Sequence, residues 1–248
     1  MKLRIRSRWL VLLLAVALPR LVWAADIVTP APLLNDPVAG RALAADVCDA
    51  RPAANAEYHG FFKIRQRDGS VTTVPLVSRV LVADKSWQAI YQAGPSNAVE
   101  SLEVTHAAGL SNSYRYARNG AAPAPLPLPQ IWQPFAGSDF SLADLGMEFF
   151  HWPRQMLVQD EMRKGRACHV LESRPAVTND YCRVRSWVDV ESGGLVMAEA
   201  YDPTNQRAKE FEVKGFKKVN DQWQLQEMEI RNLKKRSRTV LNFEEPQK

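Results

Sequence analysis

The sequence lacks the residue patterns on which catalysis is usually built. It has four histidines, His59, His106, His151 and His169, and none falls in an HExxH pattern or another paired-ligand spacing. Cys168 and His169 are adjacent and, on a strand, point to opposite faces, which argues against a shared metal. No Gly-x-Ser-x-Gly elbow, phosphate-binding Walker loop or dinucleotide fingerprint is present. The acidic pairs Asp160/Glu161 and Glu244/Glu245 sit in solvent-like stretches and read as surface charge. No catalytic residue, metal or cofactor is expected, and the chain reads as a non-enzyme.

Other absences narrow the class further. Charge of one sign is missing outside the N-terminus. Lys2, Arg4, Arg6, Arg8 and Arg20 all precede the first acidic residue, Asp26, and account for the whole formal charge of +5. The remainder is formally neutral, which removes the compositional case for a nucleic-acid partner. Long apolar runs are missing too. The ten residues from Trp9 to Leu18 are about half of the roughly 20 that a membrane-crossing helix needs. Cysteine is scarce, and the first of three is Cys48.

What is there begins with a leader. A basic stretch from Lys2 to Arg8, the apolar run, Pro19 and then Val22-Trp23-Ala24 read as a secretory signal peptide over residues 1–24, cut between Ala24 and Ala25. The alternative, an uncleaved anchor, is disfavoured by the shortness of the apolar run. No cysteine lies near the cut, so the product is not expected to be a lipoprotein, and an exported, soluble, periplasmic protein is expected. Residues 25–248 have ordinary globular composition and suffice for a single domain.

Most of that domain reads as strand. Asp36-Pro37 looks like a helix start, N-cap followed by proline at the first helical position, leading into an Ala-rich helix to about Ala50. Asp68-Gly69 marks a hairpin between Tyr58–Arg67 and Val71–Ala83. Prolines 123, 125, 127, 129 and 134 exclude a central strand there and predict an extended crossing segment. Ser141-Leu-Ala-Asp144 is a capping-box variant opening a short helix toward Phe149. After His151 a meander follows, and Gly215 with its break in alternation predicts a β-bulge. The sum is a mainly β (α+β) chain, a large curved antiparallel sheet with two short helices. A closed barrel and a two-sheet sandwich remain rivals at this point.

Several phrases carry a resemblance. They are Glu148-Phe-Phe-His-Trp-Pro153, Lys164-Gly-Arg-Ala-Cys-His-Val-Leu-Glu-Ser173, Tyr181-Cys-Arg-Val-Arg-Ser-Trp-Val-Asp189 and Leu195 to Asp202, followed by Lys209 to Lys218 and Trp223 to Asn232. In this order they resemble exported outer-membrane lipoprotein-sorting proteins, the LolA-like branch of the LolA/LolB superfamily. The resemblance implies an unclosed β-barrel, here of about 11 strands, with short helices plugging its concave side. It also implies a cofactor-free carrier of acylated lipoproteins, with an inner-membrane exporter and an outer-membrane acceptor as partners.

The aromatic pattern supplies candidate lining for such a concavity. Trp87 and Tyr91 share a parity on one strand, Tyr114 and Tyr116 on another, and Phe62 and Ile64 on the first. These six are ordinary core by default. In a partly covered concave face they could instead shelter an acyl chain of a lipoprotein or related lipid. The alternative is a lipid-binding or exporter-associated accessory module that ferries no lipoprotein. The run Lys234-Lys235-Arg236 with Arg238 could touch anionic headgroups at a membrane surface, though a solvated turn balanced by Glu227 and Glu229 is the favoured reading. Cys168 and Cys182 fall in consecutive strand candidates around Pro175 and, in an oxidising compartment, could form a disulfide. Cys48 would then be the leftover thiol.

Overall fold

A computed structural model describes residues 34–219 and 222–244. The signal peptide expected over residues 1–24 lies outside the described residues. In chain order come helix α1 (Pro37–Asp49), then strands β1 (Ala56–Arg65), β2 (Val71–Val82), β3 (Ser86–Ala93), β4 (Glu100–Ala107), β5 (Ser113–Ala117) and β6 (Ala124–Pro125). Helix α2 (Leu142–Leu145) is followed by a 3-10 turn over Glu148–His151. The second run of strands is β7 (Arg154–Arg163), β8 (Arg166–Arg174), β9 (Arg183–Asp189), β10 (Leu195–Tyr201), β11 (Arg207–Val219), β12 (Gln222–Asn232) and β13 (Ser237–Phe243).

All thirteen strands belong to one antiparallel sheet, in the order β6-β5-β4-β3-β2-β1-β13-β12-β11-β10-β9-β8-β7. Strands β6 and β7 end that order without pairing to each other, so the sheet is not closed into a barrel. The count exceeds the eleven or so expected, partly because β6 is two residues of the proline-rich segment laid along the edge of β5. Proline lacks the donor a further neighbour would need, so such an edge ends the sheet.

Local chemistry sets the punctuation. Asp36 Oδ1 accepts from the backbone N–H of Val38 and Ala39 at 2.8 and 3.0 Å, capping α1 with Pro37 at its first position. The first hairpin turns through Arg67-Asp68-Gly69, where Gly69 takes a φ of +88° that a side chain would oppose. The reciprocal cap of Ser141 and Asp144 starts α2 as the sequence predicts. The helix is only four residues long, because Met147 adopts a left-handed φ of 49° and redirects the chain. The bulge at Gly215 is present in the β11–β12 register.

The disulfide expected between Cys168 and Cys182 is not formed; all three cysteines are free. The register of β8 on β9 sets Cys168 opposite Asp189 and Ser173 opposite Val184. Cys182 lies just before β9, where its backbone N–H already bonds Tyr201 of β10 at 2.8 Å. The loop between the strands is wide instead of centred on Pro175. That offset carries the two thiols to different ends of the ladder.

The two faces of the sheet differ in emphasis, although the outer face also holds a small apolar cluster that includes Cys168, Val170, Trp187 and Met197. The outer face carries cross-strand charges, such as Glu172 with Arg183 and Arg185, and Glu199 with Arg207. The inner face carries apolar residues from nearly every strand, joined in one core cluster with α1, α2 and the crossing segment.

Candidate lipid-binding concavity

Strand register determines which side chains share the inner face, since directly paired residues of antiparallel strands point the same way. Phe62 pairs with Val74 and Leu241, Tyr91 with Leu102, Leu102 with Tyr116, Val104 with Tyr114, and Trp87 with His106. All six candidate lining residues therefore lie on the inner, concave face. They are not equally reachable. Phe62, Ile64 and Tyr114 are buried, whereas Trp87, Tyr91 and Tyr116 keep some exposure.

The chain itself covers the buried three. Residues 131–152 run across the inner face and insert Ile131, Phe135, Phe140, Leu142, Phe149 and Phe150, each at most 3% exposed. Phe62 meets the rings of Phe140 and Phe135 at centroid distances of 5.8 and 6.1 Å. Trp87 lies outside this cluster and stacks on His106 at 3.9 Å. Burial, with His151 nearby, pushes the His106 imidazole down to about 4, so it is neutral at physiological pH.

This plug makes little strand pairing with the sheet. It is fastened by its packed rings and by a handful of polar tethers. The Asp139 carboxylate accepts from Ser237 Oγ at 2.6 Å and Thr239 Oγ1 at 3.0 Å, both on β13. Asp144 accepts from Lys209 Nζ at 2.8 Å and Tyr181 OH at 3.0 Å. The Glu148 carboxylate accepts from Tyr114 OH at 2.8 Å, with the Asn112 amide 3.3 Å away. The backbone N–H of Ala136 donates to Glu100, which also accepts from Tyr116 OH at 2.5 Å. Gln155 donates to the carbonyls of Phe149, Phe150 and Trp152 and is itself held by Ser173.

Burial tunes the groups in these tethers. It raises the Glu148 carboxyl above its ordinary range, opposed by the bonds from Tyr114 and Asn112. Burial and the nearby Glu148 charge hold the Tyr114 phenol well above its usual value. Burial and the bond to Glu100 push Tyr116 up to about 12, and burial alone does the same for Tyr91. Cys48 on α1 is likewise pushed to about 12, by burial and then by Asp49 and Glu148. At neutral pH the tyrosines and this thiol are uncharged, so they contribute polar tips and no ionic charge.

Apart from the Ser141–Asp144 cap and the local bonds of Gln155, the tethers were beyond sequence reasoning because they join residues far apart in the chain. The plug had one legible signal: aromatic residues clumped over 131–152 with neither helical nor strand period. Among the described residues no group of three or more His, Cys, Asp or Glu could hold a metal ion. No described helix is long and apolar enough to cross a membrane.

A family model described as "uncharacterized protein" matches residues 101–248, more than half of the chain. No match is found among curated proteins. Among solved structures, a domain described as an outer membrane lipoprotein-sorting protein from Vibrio parahaemolyticus is similar, with a TM-score of 0.71 at 17% identity over 85% of this chain and 92% of that one. A DUF1329 family protein from Desulfovibrio piger has a TM-score of 0.69 at 18% identity, covering 84% and 92%. A LolA superfamily protein from Nitrosomonas europaea has a TM-score of 0.60 at 13% identity, covering 85% and 92%. At these identities the likeness is one of fold.

Proposed function

The chain belongs to the family matched over residues 101–248 and is LolA-like in fold, and on that premise we propose that it is an exported, periplasmic carrier sheltering acyl chains of lipoproteins or a related lipid. The observation that carries this reading is the plug. An apolar inner face is covered by a segment held through packed rings and a few side-chain tethers, not through a continuous ladder of backbone bonds. Such a cover can be displaced without dismantling the sheet.

The energetic demand fits this architecture. Burying a methylene is worth about 0.8 kcal/mol, so a sixteen-carbon chain represents roughly 12 kcal/mol of avoided exposure. An acyl chain taking the place of Phe135 and Phe140 against Phe62 and Ile64 replaces one apolar contact with another. Uptake and release are then nearly balanced, as a carrier requires. Trp87, Tyr91 and Tyr116 would form the part of the lining an arriving chain meets first. Cargo delivery implies an inner-membrane exporter and an outer-membrane acceptor as partners, with brief contact at membrane surfaces. No step needs a catalytic group or a cofactor.

The number of tethers favours a second reading, a lipid-binding or exporter-associated module that holds its ligand without ferrying it. A fluorescent fatty-acyl probe tests the first. Binding should be insensitive to salt, competed by a lipopeptide, and weakened by Trp87→Asp or Tyr116→Asp. A folded protein that binds no acyl probe overturns both readings. Binding of free lipid without lipopeptide competition selects the second.

A further inference from the structure

Beside the plug lies a cleft of about 370 Å³ that the acyl reading does not use. Its walls include Trp132 of the plug, Asn179 and Tyr181 of the loop before β9, Lys209 of β11, and Asn232 and Lys235 at the β12–β13 turn. Lys235 belongs to the basic run that the sequence reads first as a solvated turn and only second as a headgroup contact. Trp132 and Tyr181 meet edge to face at 5.3 Å and give the cleft an aromatic wall.

Its hydrogen-bonding capacity is lopsided. The acceptors are almost all engaged internally. Asp139 is bonded by Ser237 and Thr239, and Asp144 by Lys209, Tyr181 and the backbone of Ser141. Asp202, next to Pro203 on the rim, is bonded by Lys234, Thr204 and the backbone of Gln206. The donors are not. Lys209 Nζ gives two of its three N–H bonds, to Asp139 O and Asp144. Asn232 is 7% exposed and uses its Oδ1 on the backbone N–H of Lys235 at 3.0 Å. Asn179 uses its Oδ1 on the backbone N–H of Tyr181 at 3.0 Å. Both amide NH2 groups are thus left for an occupant. Lys235 makes no ion pair among the described residues. Exposed Asp180 is the one lining acid without a donor bonded to it.

A cleft rich in donors, with its carboxylates satisfied except for exposed Asp180, selects an occupant that has acceptors on several sides and negative charge. We propose that it binds a phosphate group, held by Lys209, Lys235 and the amides of Asn179 and Asn232 against the Trp132–Tyr181 wall. The phosphate could belong to a lipid headgroup or be free in solution. Only the lipid source rests on the acyl-shelter reading. Lys209 also fastens Asp144 of the plug, so a bound phosphate would share that ammonium and weaken the fastening.

The test follows the Trp132 indole and the Asn179 and Asn232 side-chain amides by NMR in the full chain. The titrants are inorganic phosphate, short-chain phosphatidate and an uncharged acyl maltoside. Phosphate and phosphatidate should shift these signals, more weakly as salt rises. Lys235→Gln should weaken phosphatidate about tenfold, the worth of one charge-assisted bond. Asp180→Asn should tighten it about threefold by removing the like charge. Tighter binding of phosphatidate than of inorganic phosphate assigns the site to a headgroup, and equal binding assigns it to a free anion. Unmoved signals, or indifference to both substitutions, overturn the proposal. If the maltoside binds while the anions leave these signals unmoved, the carrier reading survives and the phosphate site falls. If the anions bind and no acyl compound does, the reverse holds.

Discussion

Lys209 of β11 and Asp144 of α2 are 65 residues apart in the chain and 2.8 Å apart in space. Their side chains are 15% and 1% exposed, so the pair is largely withdrawn from water. Removing one partner of such a pair strands the other charge in a poorly hydrated place. Lys209→Met is expected to cost about 3 kcal/mol, seen as a melting temperature lower by about 10 °C. If the plug is the displaceable part, the same variant should take up an acyl probe faster than the parent. A variant with parental melting and uptake would remove this pair from the plug's fastening.

Glu148 gives the plug a pH dependence of definite sign. Its carboxyl is raised above 4.5 by burial, so the folded state binds this proton more tightly than the unfolded one. Its contribution is then greatest in acid and is lost as pH rises from about 4.5 through the folded-state value. Glu148→Gln keeps the shape without the charge. The stability gained over the parent should grow with pH across that window, measured by urea midpoints. A gain that is flat with pH would refute the assignment.

His106 acts in the opposite direction. Its folded value of about 4 lies below the ordinary 6.5, so the unfolded chain takes up the proton first as the solution is acidified. The stability it provides is present above 6.5 and is lost toward pH 4. Replacement by phenylalanine preserves a ring against Trp87, whose centroid is 3.9 Å away. The variant should lose less stability than the parent between those limits. Steeper acid denaturation of the variant would contradict this.

Thiol titration of the unfolded, unreduced protein should count three free groups. A count of one would mean that Cys168 and Cys182 had paired, and hence that the β8–β9 register was wrong by several residues.

Gly40 tests how α1 is seated. A Cβ there would lie 2.6 Å from both the Leu157 nitrogen and the Met156 Cα, so the helix rests on the backbone of β7 itself. Backbone cannot move aside as a side-chain tip can. Gly40→Ala should therefore destabilise by about 2 kcal/mol despite alanine's better helix propensity, and circular dichroism melts would report it.

Where the sequence was readable, local chemistry decided the structure. Asp36-Pro37, Asp68-Gly69, Ser141 with Asp144, and the parity break at Gly215 each act within a few residues, and each lies where it was expected. The six lining candidates were placed on a common face by alternation alone, which strand register upholds. Alternation could not tell which of them the plug would bury, because Phe135 and Phe140 reach Phe62 from more than 70 positions away. The cysteine pairing failed for a related reason. Proline 175 marks where a loop begins but not how wide it is, and the wide loop moved Cys168 to Asp189.

One pairing in the sheet spans almost the whole domain. Every other pairing joins strands consecutive in sequence, but β1 is joined only through β13 to the half that holds β7 to β12. As the chain is made, β1 to β6 and β7 to β12 can each zip up as meanders with short loops, yet they cannot meet until residues 237–243 exist. The last strand is a keystone. Closing it carries the largest loop entropy and the slowest step, and until then each half exposes one apolar face and one open edge. On the export route proposed above, the chain would cross the membrane before this closure. A late-arriving seam keeps the inner face from sealing too soon, and a chain cut before Ser237 should remain two unjoined half-sheets.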